Sequence, residues 1–374
     1  MLDCAATYTM IRDHGLRFFT GVPDSLLKDF CAYVSEHASS DDHVIAANEG
    51  NAAALAMGHF LGTGEPAVVY MQNSGMGNAV NPLLSLADPE VYSIPMLLVI
   101  GWRGEPGVKD EPQHVKQGRT TTELLDAMEV PWFLLPREIA EAGDVVSEAG
   151  RTMRQRMGPV AILVRAKTFK PYKLATEVVT TFPMNREEAV KCIVRQLEPD
   201  DLIVSTTGKT SRELYEYRQA QNSDCIDFLT VGGMGHTASI AMGLASAQPE
   251  RLVVCLDGDG SLIMHMGALG VIGNAASPNL LHIVINNGAH DSVGGQPTVG
   301  YNIDIPDIAT ACGYREALSV SEPDALEAEL VRLRGKSGPA LLEVKVNKGA
   351  RADLGRPKST PIENREALMK RIGL

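Results

Sequence analysis

Two short polar motifs, each closing an apolar run, carry the chemistry that this sequence could perform. Gly258, Asp259, Gly260 and Ser261 follow the run 251–256, and Asn286 and Asn287 follow the run 280–285. Both runs are short, rich in branched residues and bounded by turn formers, as buried parallel strands are. An acid and a carboxamide at the carboxyl ends of two such strands form a pocket of hard oxygen donors. That chemistry suits Mg²⁺ or Ca²⁺, and Mg²⁺ usually keeps phosphate oxygens in its shell. Segment 262–276 between the motifs holds Met264, Met266, Leu269 and Ile272 at helical spacing. A strand-helix-strand unit results, with both motifs on the rim where open α/β sheets bind ligands.

The elements that must position these residues recur along the chain. Apolar runs at 17–20, 43–46, 67–70, 96–100, 132–135 and 160–164 read as strands of a first half, and 123–128 and 138–157 as helices. A second half repeats the rhythm with strands at 202–204, 228–231, 252–256, 280–285 and 340–344. The reading is α/β: two doubly wound parallel-sheet domains, 1–167 and 186–374, joined by a linker at 168–185 that contains Pro171 and Pro183. The 374 residues suffice for two domains with real cores, and 44% hydrophobic with 21% charged residues is a globular composition. No apolar stretch is long enough to span a membrane, and the N-terminus lacks the layout of a signal peptide. Six scattered cysteines, including Cys225, show no CxxC and no metal spacing, which predicts reduced thiols and a cytoplasmic location. A net charge of −12 argues against nucleic acid as a partner and requires local cations around any anionic ligand.

Two decoys are set aside. Gly233-x-Gly235-x-x-Ala238 fits a dinucleotide fingerprint with Asp257 downstream, but an NAD reading leaves the Gly258–Asp259–Gly260 turn unexplained. The Gly208–Lys209–Thr210–Ser211 string resembles the end of a Walker A loop, yet position 203, where the earlier glycine belongs, is Ile203.

The GDG and NN motifs together match the diphosphate anchor of thiamine diphosphate enzymes, and the chain resembles that family's decarboxylases. The resemblance gives a role to Glu49, which opens an Ala/Gly-rich helix at 49–58. Read alone, Glu49 is a helix-start acid facing the macrodipole. In the family a glutamate so placed bonds the aminopyrimidine ring and promotes deprotonation of the thiazolium carbon, and an apolar setting would raise its pKa. The resemblance also implies that Met234 wedges the cofactor into a bent shape and that the Gly232 carbonyl meets its amino group. Gly235 and His236 would approach the diphosphate at a helix N-terminus. Asp259, Asn287 and the Ala289 carbonyl would hold Mg²⁺, with Gly258 and Gly260 flanking and Ser261 on a phosphate oxygen.

The whole chain is similar to the branch that decarboxylates phosphonopyruvate, with the sulfopyruvate decarboxylases as near relatives. The strings 20–25, 101–107, 110–114, 205–213 and 286–297 carry this similarity, and the short linker leaves no room for the middle domain of many family members. The implied reaction is non-oxidative loss of CO₂ from a small anionic 2-oxo acid. Carboligases and simple 2-oxo acid decarboxylases are the alternatives, beside a non-enzymatic module. Asp24, His114 and His290 are the proton-transfer candidates, though Asp24 also fits a turn and His114 a polar surface loop. Asn73, Ser74, Arg103, Lys109, Lys116, Arg119, Lys209 and Arg212 are the substrate-binding candidates, arginine being best suited to oxyanions. Family members place the glutamate and the metal anchor across a subunit interface, so the resemblance implies at least a homodimer.

Overall fold

A computed structural model describes residues 1–175, 179–223 and 226–374. Cys225 and part of the expected linker lie outside the described residues. The chain divides into two compact units, Met1–Glu177 with Val293–Gln296, and Val178–Ser292 with Pro297–Leu374.

The first unit holds a six-stranded parallel sheet of β1 (Phe19–Gly21), β2 (His43–Ile45), β3 (Ala67–Gln72), β4 (Met96–Gly101), β5 (Trp132–Leu134) and β6 (Pro159–Val164) in the order β2-β1-β3-β4-β6-β5. The central strands β3, β4 and β6 are buried on both faces. Alternate side chains therefore feed two cores: Val68, Tyr70, Leu97 and Val99 on one face, Val69, Met71, Leu98 and Ile100 on the other. Each such fully buried aliphatic side chain contributes about 1.5–3 kcal/mol.

The second unit repeats the plan with β7 (Leu202–Ser205), β8 (Phe228–Leu229), β9 (Val253–Gly258), β10 (Leu280–Asn286), β11 (Glu316–Val320) and β12 (Ala340–Lys345), ordered β11-β12-β10-β9-β7-β8. Strand β10 is buried at every position. In this sheet the strand order reverses between β7 and β9, and in the first between β1 and β3. Ligand crevices of open α/β sheets lie at the carboxyl ends of such strand pairs.

Several expectations are corrected. The helix expected over 262–276 is two, Asp259–Met264 and Ala268–Ala275, broken where His265 leaves helical dihedrals and Gly267 follows. Strand β8 stops at Leu229 because Thr230 and Val231 lead into Gly232 and Gly233, both at positive φ. Strand β11 lacks an apolar signature in the sequence because it is an edge strand with mostly half-exposed residues. The segment expected to contribute little to the cores places Phe169 in one and Met184 in the other. Among the described residues no helix is long and apolar enough to cross a membrane.

Candidate active site

In the first unit, strand β2 delivers the chain to Asn48, whose side chain caps the helix Glu49–Thr63 by accepting from the Asn51 N–H at 2.9 Å. The cap fixes Glu49 at the first helical position, where only 5% of it is exposed. Asn78 donates to its Oε2 at 2.7 Å. The rest of the carboxyl lies against Gly75, where a Cβ would collide with it. Burial pushes the carboxyl pKa up, and the Asn78 hydrogen bond only partly opposes this. Glu49 is thus an acid held in one rotamer and biased toward sharing a proton.

Asp24 follows β1. Its Oδ2 accepts from the Leu26 and Leu27 N–H groups at 3.0 and 3.2 Å, so the turn role is real. It is also wholly buried, packed so closely on Gly101 that no Cβ would fit there, and burial raises its pKa to about 6. With the folded pKa above the ordinary value of 3.8, the fold binds this proton more tightly than the unfolded chain does. Asp24 therefore subtracts stability as pH rises from below 3.8 through about 6. Asp24→Asn is expected to raise stability at pH 7 by about 1–3 kcal/mol and to flatten its decline between pH 4 and 7, read by denaturant melts. Equal pH dependence in the two proteins would count against a raised Asp24 pKa.

His114 corrects the polar-loop expectation. It sits in the first turn of the helix Pro112–Ala127 and is 8% exposed, with a buried Nδ1 that has no partner. Burial and the Arg103 charge lower its pKa. Arg103 makes a two-pronged ion pair with Asp110 and donates to Ser25 Oγ at 2.8 Å. Asn73 is buried, its amide divided between the Arg103 carbonyl and Thr121 Oγ1, whereas Ser74 is exposed. Lys109, Lys116 and Arg119 are exposed and make no ion pair among the described residues.

In the second unit, β9 ends at Gly258, and Asp259 opens the next helix at 2% exposure. The Thr298 hydroxyl donates to Asp259 Oδ2, but no ion pair reaches this carboxylate among the described residues, and burial raises its pKa to about 6. Strand β10 ends at Asn286, buried and bonded to the Gly300 carbonyl at 2.8 Å and to Glu343 at 2.7 Å. That anchorage presents Asn287, whose Oδ1 accepts from the Ala289 N–H at 3.2 Å. His290 is half-buried, with burial lowering its pKa to about 4, and both its ring and the Met234 methyl border the open side of Gly260. Ser261 Oγ accepts from the Gly235 N–H at 3.1 Å, and Gly235, at φ +89°, leaves no room for a Cβ against His265. His236 occupies the N-cap position of the helix Thr237–Ala247 without a capping side-chain hydrogen bond and is exposed.

On the rim of β7 sequence reasoning named Lys209 and Arg212 but missed Gly208 and the threonine hydroxyls. Gly208, set aside with the failed Walker A string, has φ +99° and starts the helix Lys209–Ala220 at the strand-order reversal. Thr207 Oγ1 accepts from the Gly232 N–H at 2.9 Å, and the hydroxyls of Thr206, Thr230 and Thr237 are buried without partners. Lys209 binds the Asp291 carbonyl at 3.0 Å, whereas Arg212 makes no ion pair among the described residues. Orphan hydroxyls, a helix N-terminus and an uncompensated buried carboxylate on one rim fit a bound diphosphate with a divalent cation.

The family model "Thiamine pyrophosphate enzyme, N-terminal TPP binding domain" matches residues 5–130, and its C-terminal counterpart matches residues 206–344. The chain is a member of the thiamine pyrophosphate enzyme family. It is 36% identical to the phosphonopyruvate decarboxylase of Streptomyces viridochromogenes, over 97% of this chain and 93% of that protein. The phosphonopyruvate decarboxylase of Streptomyces hygroscopicus is also 36% identical, over 93% of this chain and 88% of that protein. The sulfopyruvate decarboxylase of Methanosarcina acetivorans is 26% identical, over 85% and 84% respectively. As a thiamine pyrophosphate enzyme the chain has its two cofactor-binding domains in the two units, Glu49 in the first and Asp259 in the second.

Proposed function

We propose that this enzyme decarboxylates 3-phosphonopyruvate to phosphonoacetaldehyde and CO₂, with thiamine diphosphate and Mg²⁺, within phosphonate biosynthesis. The observation that carries the reading is whole-length similarity to two phosphonopyruvate decarboxylases, at higher identity than to the sulfopyruvate decarboxylase. Bound thiamine diphosphate supplies a carbon nucleophile and an electron sink for the loss of CO₂.

The chain's residues do the rest. Asp259, Asn287 and the Ala289 carbonyl offer hard oxygens to Mg²⁺, and Gly258 and Gly260 let the backbone approach. Ser261, Gly235 and His236 would hold the diphosphate, while Gly232 and Met234 would contact the rest of the cofactor. Glu49 holds a proton at the aminopyrimidine. Asp24, His114 and His290 are the groups for protonating the product carbon; burial favours the protonated carboxyl of Asp24 and the neutral ring of both histidines, which makes the histidines weak bases. Arg103 and Lys209 are already engaged by Asp110 and Asp291, which leaves Lys109, Lys116, Arg119 and Arg212 as the freer cations for the substrate's anionic ends. Asn73 acts by fixing Arg103, and Ser74 offers an exposed hydroxyl.

The active enzyme is at least a homodimer with its sites at subunit interfaces. Its support lies in helix faces without charge: nothing from Gly50 to Gly64 or from Thr237 to Ala247 is acidic or basic apart from His59, yet Leu55, Leu61 and Ile240 are 38%, 67% and 37% exposed. The five described cysteines are unbridged, in keeping with a cytoplasmic enzyme.

The test is a coupled assay with cofactor and Mg²⁺ that compares phosphonopyruvate, sulfopyruvate and pyruvate at equal concentration, detecting aldehyde and CO₂. Dominant turnover of phosphonopyruvate is expected. A preference for sulfopyruvate would keep the chemistry and overturn the substrate.

A further inference from the structure

The loop after β10 carries both Ala289 and His290, and a second set of charges holds it from behind. Arg186, the first residue of the helix Arg186–Arg195, is 5% exposed. Its Nε and Nη2 donate to the two oxygens of Glu213 at 2.8 Å each, and its Nη1 donates to Asp291 Oδ2 at 2.8 Å. Lys209 donates to the Asp291 main-chain carbonyl at 3.0 Å and lies 3.6 Å from Asp291 Oδ2. Asp291 is thereby fixed through side chain and backbone at once. Its own N–H donates to the Ala289 carbonyl at 2.9 Å.

Two cations and two acids balance inside the fold. Such a network stabilises little compared with apolar residues of the same volume, because desolvation offsets the attraction. What it does supply is geometry: a two-pronged guanidinium contact admits one orientation. We propose that Arg186, Glu213, Asp291 and Lys209 form a clamp that sets the Ala289 carbonyl and His290 in register with Asp259. They are positioning residues, and the proposal rests on the reading of Ala289 as a metal ligand. Lys209, expected from the sequence to meet substrate, belongs to this clamp.

The test is calorimetric titration of Mg²⁺ into full-length protein with thiamine diphosphate, beside thermal melts without ligand. Asp291→Asn keeps the size of the side chain and removes its charge. Its Mg²⁺ affinity is expected to fall about 10- to 100-fold, as for residues that orient metal ligands, with the ligand-free melt lowered but still cooperative, because Arg186 keeps Glu213 as its partner. Arg186→Lys, which keeps charge but loses the fork, is expected to fall between the two. An unchanged Mg²⁺ affinity in folded Asp291→Asn would overturn the clamp. Should Asp291→Asn fail to fold, Lys209→Met decides by the same readout, since that side chain is 29% exposed and its loss leaves the Arg186–Glu213 pair intact. A parent protein that binds thiamine diphosphate without any need for Mg²⁺ would remove the metal reading, and the clamp with it.

Discussion

Glu49→Ala is expected to abolish measurable turnover while leaving Mg²⁺-dependent binding of thiamine diphosphate close to that of the parent. Proton transfer by a positioned side chain is worth about 10²- to 10⁴-fold in rate, or roughly 3–5 kcal/mol of barrier. The geometry argues for the upper part of that range. The carboxyl is held by Asn78 on one side and Gly75 on the other, and burial disfavours its ionised form. A carboxyl this constrained serves one partner in one direction, and alanine at position 49 offers no substitute donor. Binding survives because the proposed diphosphate and metal anchors belong to the other unit. The checks are steady-state kinetics with phosphonopyruvate and a calorimetric titration of the cofactor. Undiminished turnover would remove Glu49 from the mechanism, whereas lost binding would make it a structural prop for the pyrimidine. Glu49→Gln serves as the control for shape, since the amide oxygen can still accept from Asn78.

The contrast between what could and could not be read beforehand follows from the range of the interactions. Asp259 and Asn287 were legible because each ends an apolar strand, and a polar residue there reaches the rim by the geometry of a parallel sheet alone. The same holds for the strands themselves, whose buried central members write near-continuous apolar runs into the sequence. The edge strand β11 wrote none. Illegible features are those made by residues far apart in the chain. Asn78 meets Glu49 across 29 positions, and Arg186 meets Asp291 across 105. Nothing local distinguishes Arg186 or Asp291 from solvated surface charge. Cys255, Asp257 and His282 show the same limit: their ligand atoms lie within 4.8 Å of one another because β9 and β10 pair in register, and no cysteine spacing announces it. Arg103 and Lys209 were read as candidates to meet the substrate, but composition cannot tell a free cation from one already held by a carboxylate.

Asp259→Asn is expected to fail at the opposite step from Glu49→Ala. The amide has nearly the size of the carboxylate and can accept from Thr298, so the turn after β9 should persist. What disappears is the negative charge. In the parent the carboxylate is buried, is raised to a pKa of about 6, and has no cationic side chain to compensate it among the described residues. A site of that kind gains from a divalent ion twice: the ion takes oxygen donors it prefers, and the carboxylate regains the stabilisation it lost on leaving water. Loss of a direct ligand should therefore exceed the roughly 10- to 100-fold that an orienting residue costs. We expect Mg²⁺ affinity in the presence of thiamine diphosphate to drop by more than about 100-fold on that scale. Ligand-linked stability gives an independent readout, because a ligand at 100 times its Kd stabilises the folded state by about 2.7 kcal/mol. The rise in melting temperature that cofactor and Mg²⁺ produce in the parent should thus vanish in the variant at equal concentrations, while the ligand-free variant melts at or above the parent at pH 7 because the buried charge is gone. If Asp259→Asn still gained that stabilisation, the cation would have to be held elsewhere on the rim. The β7 hydroxyls of Thr206 and Thr207 would then be the residues to vary next.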